Sequence, residues 1–203
     1  SNPEFYALRN GKRLPTQLCL TNDNVYEIVN NRVEELFNEN PDYNVISVSQ
    51  DDNTSYCQCD KCEILHDKFG GPSASMVSFV NRISENFKNK TISTLAYQYT
   101  RQPSTVIPNQ NVLITLCSIE CDRRIPIDEG CKDFYDDLKG WSKLTDNIRI
   151  WDYTTQFTNF LAPFPNWNTI QPNINLFYEN NAKWIFQQHS RNPSELFELR
   201  SYV

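Results

Sequence analysis

The feature that most constrains the fold is a repeated alternation of short apolar runs with stretches of helical periodicity. The apolar runs suit strands that are buried on both faces, and each run ends in a polar cluster. Strands that alternate with helices predict βαβ units and a parallel sheet. The predicted strands are Val45–Val48, Ile92–Tyr97, Val112–Cys117, Ile148–Trp151 and Ala182–Phe186, with a shorter candidate at Gln17–Leu20.

Apolar residues at helical spacing predict the helices between these strands. The first helix carries Val25 to Phe37 on one face, and Thr21 or Asn22 is placed to cap its N-terminus. The other predicted helices carry Met76–Phe87, Phe134–Leu144 and, after a possible cap at Ser194, the residues Leu196, Phe197 and Leu199.

A doubly wound sheet and a (β/α)8 barrel both fit this alternation. No glycine-rich turn follows a predicted strand, so the sequence has neither a dinucleotide fingerprint nor a phosphate loop. We interpret residues 1–203 as a single domain of the α/β class, a TIM-type (β/α)8 barrel. Five or six strand–helix units are fewer than the eight of a complete barrel, so we expect it to be incomplete on its N-terminal side.

Composition narrows the class of partner. Acidic residues number 25 against 19 basic ones, which gives a net charge of −6. This balance argues against nucleic acid or an anionic membrane as the main partner, because both favour a basic face. No apolar run approaches the roughly 20 residues of a membrane span.

Carboxylates follow three of the predicted strands, as Asp51 with Asp52, Glu120 and Asp152. Strand ends carry the active site of a barrel, and two facing carboxylates suffice for glycoside hydrolysis. Such residues are also common turn formers and helix caps. The neighbours predicted to bind substrate are Asn53, Tyr97, Gln98, Tyr99, Arg101, Trp151, Tyr153 and Gln187, and Phe157 and Trp167 offer further flat rings for a sugar.

The sharpest local motif is Cys57-Gln-Cys59-Asp-Lys-Cys62. Three thiolates at this spacing can bind one structural zinc ion, with Cys19, His66 or Cys121 as the fourth ligand. Such a metal would hold the loop after the Val45–Val48 strand and would not perform catalysis. A disulfide within the motif and free thiols are the alternatives.

The remaining cysteines and histidines allow two further statements. Cys117, Cys121 and Cys131 are close enough along the chain for one disulfide. Because His66 and His189 are the only histidines, a histidine-rich catalytic metal site is excluded. A serine hydrolase is unsupported, since the sequence has no Gly-x-Ser-x-Gly elbow.

Several longer strings together resemble one known family. They are Pro3–Arg13, Gln17–Asn22, Ile46–Asn53, Tyr56–Cys62, Thr94–Arg101, Leu116–Cys121 and Trp151–Tyr153. They resemble the DUF4838 family, which is grouped with glycoside hydrolases and is widespread in gut Bacteroidetes. The resemblance implies a TIM-barrel module of the α-glucuronidase and hexosaminidase clan, exported to the periplasm or beyond the cell, that needs no cofactor for catalysis.

The similarity to α-glucuronidases also implies roles for the carboxylates. Asp52 or Asp51 would be the proton donor, although the family pattern leads one to expect Glu there. Glu120 and Asp152 would position or deprotonate the attacking water. Gln187 stands where family members often have Glu, and the first barrel strands would lie upstream of Pro3.

The leading hypothesis is therefore a glycoside hydrolase that acts on a glycan, with uronic-acid-containing glycans as the finer expectation. The main alternative is a non-catalytic carbohydrate-binding barrel with a cysteine-stapled loop. A third class is a thiol- or metal-dependent protein, which would require Cys57, Cys59 and Cys62 to open into the substrate pocket.

Overall fold

The structure, a computed structural model, describes residues 2–155, 157–158 and 164–188. Strands occupy Tyr6–Arg9 (β1), Lys12–Leu18 (β2), Val45–Ser47 (β3), Thr91–Ala96 (β4), Val112–Cys117 (β5), Ile148–Tyr153 (β6) and Ala182–Gln188 (β7). Helices occupy Asp23–Glu39 (α1), Asp60–Phe69 (α2), Ser73–Ser84 (α3), Ile127–Gly130 (α4), Lys132–Ser142 (α5) and Trp167–Glu179 (α6). No helix in this described part is long and apolar enough to cross a membrane.

Strands β3 to β7 form one sheet in which spatial order follows chain order. β3 pairs with β4 and β6 with β7 in parallel, as the alternation of strands and helices predicts. A doubly wound sheet reverses its strand order at a switch point, whereas these strands continue in one direction as in a barrel. The protein is thus an α/β fold whose parallel sheet is consistent with part of a TIM-type barrel. The complete eight-stranded barrel stays a prediction.

The chain divides into two compact units, Ser1–Thr115 and Leu116–Val203, and each is described by itself. The division falls within β5. The interpretation of residues 1–203 as one domain stays a prediction.

The first unit begins with a hairpin that the sequence analysis did not predict. Gln17 and Leu18 end β2, which pairs with β1 in antiparallel orientation and lies outside the parallel sheet. The interpretation of Gln17–Leu20 as a preceding strand of the parallel sheet was therefore wrong. The missed signal is Asn10-Gly11, because both residues have positive φ (49° and 74°), as the turns of two-residue hairpins require.

Helices α1 and α3 cover the sheet of the first unit. The side chain of Asn22 accepts hydrogen bonds from the amides of Asn24 and Val25, at 2.9 and 3.3 Å, and so confirms the predicted cap of α1. The rings of Tyr26 and Phe79 meet edge to face at 6.3 Å where the two helices pack.

The core of the second unit lies between its sheet strands and the helices α5 and α6. Phe134 and Trp141 of α5 are about 1% exposed, and Phe134 meets Phe177 of α6 at 6.3 Å between ring centroids. Helix α6 was not predicted, because it contains Pro172, which normally ends or kinks a helix. His189 and the predicted helix after Ser194 lie outside the described residues.

Candidate functional site

Four cysteines of the first unit converge on one point. The Sγ atoms of Cys19, Cys57, Cys59 and Cys62 all lie within 4.8 Å of one another, and those of Cys19 and Cys59 are 3.6 Å apart. A tetrahedral zinc ion with Zn–S bonds of ~2.3 Å places its sulfur ligands roughly 3.8 Å apart. The four residues therefore have the donor set and the spacing of a structural metal site, and they could hold a metal ion.

Three short segments bring these thiols together. Cys19 directly follows β2, Cys57 and Cys59 lie in the loop before α2, and Cys62 lies in the first turn of that helix. Cys19, Cys57 and Cys62 are at most 5% exposed and pack with Ala7 of β1 in a small core of their own. A site of four thiolates suits a structural ion, because four protein ligands complete the tetrahedron of a zinc ion.

Polar groups around the thiols are placed where they can stabilise negative charge on sulfur. The amide of Leu8 donates to Sγ of Cys57 at 3.3 Å, and the hydroxyl of Thr21 lies 3.3 Å from Sγ of Cys62. Hydrogen bonds from the thiols of Cys57 and Cys62 hold the pKa of Cys19 well below its usual range. The contact with Cys19 in turn raises the pKa of Cys62.

The structure selects among the predicted fourth ligands. Cys19 joins the cluster, whereas Cys121 forms a disulfide with Cys131 in the second unit. The ring of His66 instead makes a buried hydrogen bond of 3.1 Å to the hydroxyl of Ser75. The expectation of one disulfide among Cys117, Cys121 and Cys131 is thereby confirmed, and Cys117 is a buried thiol that is not part of a disulfide within the described residues.

The carboxylates Asp51 and Asp52 follow β3 in an exposed loop of the first unit. The peptide of Asp51 is held by Gln17, whose amide donates to its carbonyl at 2.7 Å and accepts from its N–H at 3.1 Å. Oδ1 of Asp52 lies 3.4 Å from Nε2 of Gln98. Asn53 donates to the carbonyl of Thr16 at 3.0 Å.

The predicted substrate-binding residues after β4 lie beside this loop. Gln98 adopts a positive φ of 55°, and its amide also contacts the hydroxyl of Tyr97 at 3.1 Å. Tyr99 is half-buried against the ring of Tyr56, and desolvation raises the pKa of its hydroxyl. Gln98 therefore lies near Asp52, while the ring of Tyr99 packs against Tyr56 and its role in substrate binding stays a prediction. Arg101 is partly exposed and directly follows a short 3-10 turn at Gln98–Thr100.

In the second unit, Asp152 is 5% exposed and lies in a buried polar network. The hydroxyl of Ser118 donates to its Oδ1 at 2.7 Å, and Nη1 of Arg123 lies 3.7 Å from the same oxygen. Arg123 also donates to the carbonyl and the hydroxyl of Ser118. Desolvation lowers the pKa of Arg123, and the Asp152 carboxylate opposes this effect. Asp152 thus holds an arginine in place after β5.

A cleft of about 470 Å³ opens next to this network. Its lining includes Arg123, Tyr153, Phe157 and Phe164. The ring of Tyr153 meets that of Phe157 edge to face at 5.7 Å and lies 6.4 Å from Trp151 in a stacked arrangement. The cleft therefore joins aromatic faces to a cationic group.

The other predicted residues of the second unit lie around β5, β6 and β7. Glu120 is exposed in the turn after β5. The indole N–H of Trp151 donates to the side-chain oxygen of Gln188 at 2.9 Å, while Gln187 pairs with Asp152 in the strand register. Trp167 begins α6 and is 63% exposed.

Comparison with known proteins identifies the family. The sequence matches the family described as a domain of unknown function, DUF4838, over residues 1–203. The chain belongs to the DUF4838 family. No match was found among curated proteins.

The DUF4838 chain also has a similar solved structure, a beta-N-acetylhexosaminidase from Bacteroides fragilis NCTC 9343. The TM-score is 0.50 at 13% identity, so the likeness concerns the fold alone. The match covers 100% of this chain and 48% of the hexosaminidase chain. The DUF4838 chain therefore spans about half the length of that protein.

Two residues of the candidate site of this DUF4838 chain were not predicted from its sequence. Arg123 follows a buried strand beside a second arginine, and nothing local distinguishes the arginine that folds inwards from the exposed Arg124. Gln17 lies in a strand that was placed in the wrong sheet. The one feature of the sequence that could have drawn attention to Gln17 is its position two residues before Cys19.

Proposed function

We propose that this domain acts on a carbohydrate and hydrolyses a glycosidic bond. The observation that carries the proposal is the cleft beside Arg123 and Asp152, since it combines aromatic rings with a fixed charge at the end of a barrel-type strand. Sugars present C–H faces to aromatic rings and oxygen atoms to charged groups, and barrel enzymes place their sites at such strand ends. The family match and the hexosaminidase fold support the same class of function.

The proposed catalytic groups are strand-end carboxylates. Asp52, or its neighbour Asp51, is the general acid, and Glu120 acts on the attacking water. Asp152 was predicted to share that second role, but its ion pair and its hydrogen bond from Ser118 favour a positioning role for it.

A carboxylate-bearing sugar, such as a uronic acid, is the substrate class that we propose. Arg123 and Arg124 both line the cleft, and guanidinium groups pair with carboxylates through parallel hydrogen bonds. Nη1 of Arg123 is buried and makes no hydrogen bond within the described part of the chain. Arg124 is 72% exposed at its side chain and is oriented by Asp122, at 2.6 Å.

No cofactor enters the proposed hydrolysis, and the metal has a separate role. We propose that Cys19, Cys57, Cys59 and Cys62 bind one structural zinc ion. Zinc held by four thiolates cross-links the segment after β2 to the loop before α2. We also propose export to the periplasm or the exterior, which the disulfide between Cys121 and Cys131 supports because disulfides persist in oxidising compartments.

A non-catalytic carbohydrate-binding barrel is the second candidate. The burial of Asp152 in an ion pair favours it, since that carboxylate is engaged in holding Arg123 and not exposed to substrate. The same cleft would then hold a sugar without breaking a bond. Residues Asp52 and Glu120 separate the two candidates, because only hydrolysis needs them to transfer protons.

The test uses the full-length protein that contains this domain. Hydrolysis of methyl glycosides of glucuronic acid and of N-acetylhexosamine, whose alkoxide leaving group needs a proton, is measured for the wild type and for the Asp52→Asn, Glu120→Gln and Asp146→Asn variants. Asp146 lies outside the proposed site and is 82% exposed at its side chain, so it is the matched control. We expect the first two variants to lose about 10²–10⁴-fold in kcat and the control to be unchanged.

Calorimetric titration with uronic-acid and hexosamine oligosaccharides completes the experiment. Binding without hydrolysis would support the binding barrel and remove the catalytic assignment. If the protein neither binds nor cleaves any of these sugars, the carbohydrate proposal is wrong.

A further inference from the structure

Gln17 is the one buried residue of strand β2, at 4% exposure, while its neighbours Thr16 and Leu18 are exposed. A buried amide must find partners for its donors and its acceptor, so its orientation is fixed by what it contacts. Its side chain meets the loop after β3 in every hydrogen bond that it makes. Strand β2 thus presents one polar side chain inwards, and that side chain is used to hold a loop.

The contact with Asp51 is bidentate. Nε2 of Gln17 donates to the carbonyl of Asp51 at 2.7 Å, and Oε1 accepts from the Asp51 amide at 3.1 Å. Both polar groups of one residue's backbone are bound, as they would be by a neighbouring strand. The backbone orientation of Asp51 sets the direction in which the side chains of Asp51 and Asp52 project from the loop.

Asn53 makes the reciprocal contact. Its Oδ1 accepts from Nε2 of Gln17 at 3.1 Å and from the amide of Ser55 at 2.9 Å, while its Nδ2 donates to the carbonyl of Thr16 at 3.0 Å. The amide of Asn53 donates to the carbonyl of Asp51 at 2.8 Å. The role predicted for Asn53 in substrate binding stays a prediction, but its side chain is engaged in this loop.

The cysteine centre anchors the same loop at its other end. Cys19 follows Gln17 by two residues and Cys57 follows Asn53 by four, and both belong to the four-cysteine cluster. The amide of Gln58 also donates to the carbonyl of Leu8 at 2.8 Å. The segment Asp51–Cys57 is therefore fastened twice to the hairpin, through the Gln17 amide and through the thiols.

We infer that Gln17 is a positioning residue that links the metal centre to the acid loop, so that metal binding fixes the backbone of Asp51–Asn53. The inference rests on the proposed function for its catalytic meaning, because Asp51 and Asp52 are the proposed acids. Metal at Cys19 holds the end of β2, β2 places Gln17, and Gln17 places Asp51. Loss of the metal or of the amide releases the same loop.

Amide hydrogen exchange measured by NMR tests this link without any sugar. The informative amides are those of Asn53 and Ser55, which bond within the loop and not to Gln17. In zinc-loaded Gln17→Met we expect both to exchange about tenfold faster than in the wild type, as expected for the loss of one such hydrogen bond. Gln110→Met, at an exposed glutamine of the same unit, is the matched control and leaves these rates unchanged.

In the second arm of the experiment, a chelator removes zinc from the wild-type protein. This arm does not depend on whether a variant folds. We expect the Asn53 and Ser55 amides to accelerate while those of α1 and α3 keep their protection. Unchanged rates at Asn53 and Ser55 in either arm would overturn the inference. An equal loss of protection across α1 and α3 would also overturn it, since the metal would then support the whole unit and not the loop.

Measuring glycoside hydrolysis distinguishes a failure of this inference from a failure of the proposed function. If Gln17→Met accelerates exchange and the wild-type protein cleaves a glycoside, we expect the variant to lose kcat with little change in KM. If exchange accelerates but no glycoside is cleaved by the wild type, the link stands and the hydrolase assignment fails.

Discussion

The Sγ atoms of Cys19 and Cys59 lie 3.6 Å apart although 40 residues separate them in the chain. Cys19 ends the hairpin segment and Cys59 is the N-cap residue of α2, so this contact closes the long loop that includes β3 and the two aspartates. Closing a loop of this length costs chain entropy, which bonds to a shared metal ion would offset. The proposed zinc ion would therefore increase the local order of this loop.

Cys19→Ser is expected to weaken zinc binding by more than the roughly 10–100-fold typical of a change in a residue that only supports a ligand. The reason is that the substitution removes one of four thiolate donors and leaves Cys57, Cys59 and Cys62 to share the ion. Zinc content after dialysis against a competing chelator, measured by mass spectrometry, gives the result.

Cys117→Ala is the control for this prediction, because Cys117 is a buried cysteine outside the four-cysteine cluster. It should keep one zinc ion per chain. Equal zinc content in Cys19→Ser and the wild type would show that Cys19 is not a ligand.

Strand β5 could be predicted because its residues are almost all apolar and are buried on both faces. All six residues of Val112–Cys117 are buried, and this run reads as a strand from its composition alone. Helix α2 was missed for the opposite reason. It buries only Cys62 and His66, so its sequence carries no apolar repeat that would indicate a helix.

Residues of the candidate site that are close together in the sequence could be predicted, whereas their partners from distant segments could not. The spacing of Cys57, Cys59 and Cys62 predicted a metal site, but nothing in the sequence chose Cys19 over His66 or Cys121. That choice depends on the β1–β2 hairpin, which carries Cys19 to the loop before α2. The prediction that Asp152 follows a strand was wrong, because Asp152 lies within β6, and the sequence gave no indication of its partner Arg123.

Removal of the disulfide by Cys131→Ser is expected to lower the free energy of unfolding by about 2–3 kcal/mol. The bond joins Cys121 to Cys131 across a separation of 10 residues, and a short closed loop restrains the unfolded chain by roughly this amount. Urea unfolding with and without a reductant measures the effect. If the wild type keeps the same midpoint when fully reduced, the disulfide makes no contribution to stability.

His66 gives a pH dependence whose sign follows from its burial. Desolvation lowers the pKa of His66 below its usual value, with Glu63 opposing the effect, so the unfolded chain binds a proton more readily than the folded one. Its contribution to stability is present above the unfolded pKa of ~6.5 and is lost as the pH falls through the lower folded pKa.

The measurement is the free energy of unfolding of the zinc-loaded wild type and of His66→Gln between pH 5.5 and 8. We expect the wild type to lose more stability than the variant as the pH falls below ~6.5. Glutamine keeps a polar group near Ser75 but does not titrate. Parallel pH profiles for the two proteins would contradict the prediction.

The Asp152–Arg123 pair gives the last prediction. The two side chains are 6% and 9% exposed, so removing one charge leaves the other buried without its partner. Asp152→Asn is therefore expected to destabilise the folded state by about 3 kcal/mol or more. Asp146→Asn is the control, because Asp146 and its partner Lys183 are both exposed and such pairs contribute at most about 1 kcal/mol.

A double-mutant cycle shows whether the cost arises from the pair itself. Arg123→Met together with Asp152→Leu should destabilise by at least about 1 kcal/mol less than the sum of the two single changes, because no unpaired charge remains. Urea unfolding of the four proteins provides the values. Simple additivity would mean that Asp152 does not hold Arg123 in the folded protein, and the carboxylate would then regain the role in catalysis that its position after a strand first suggested.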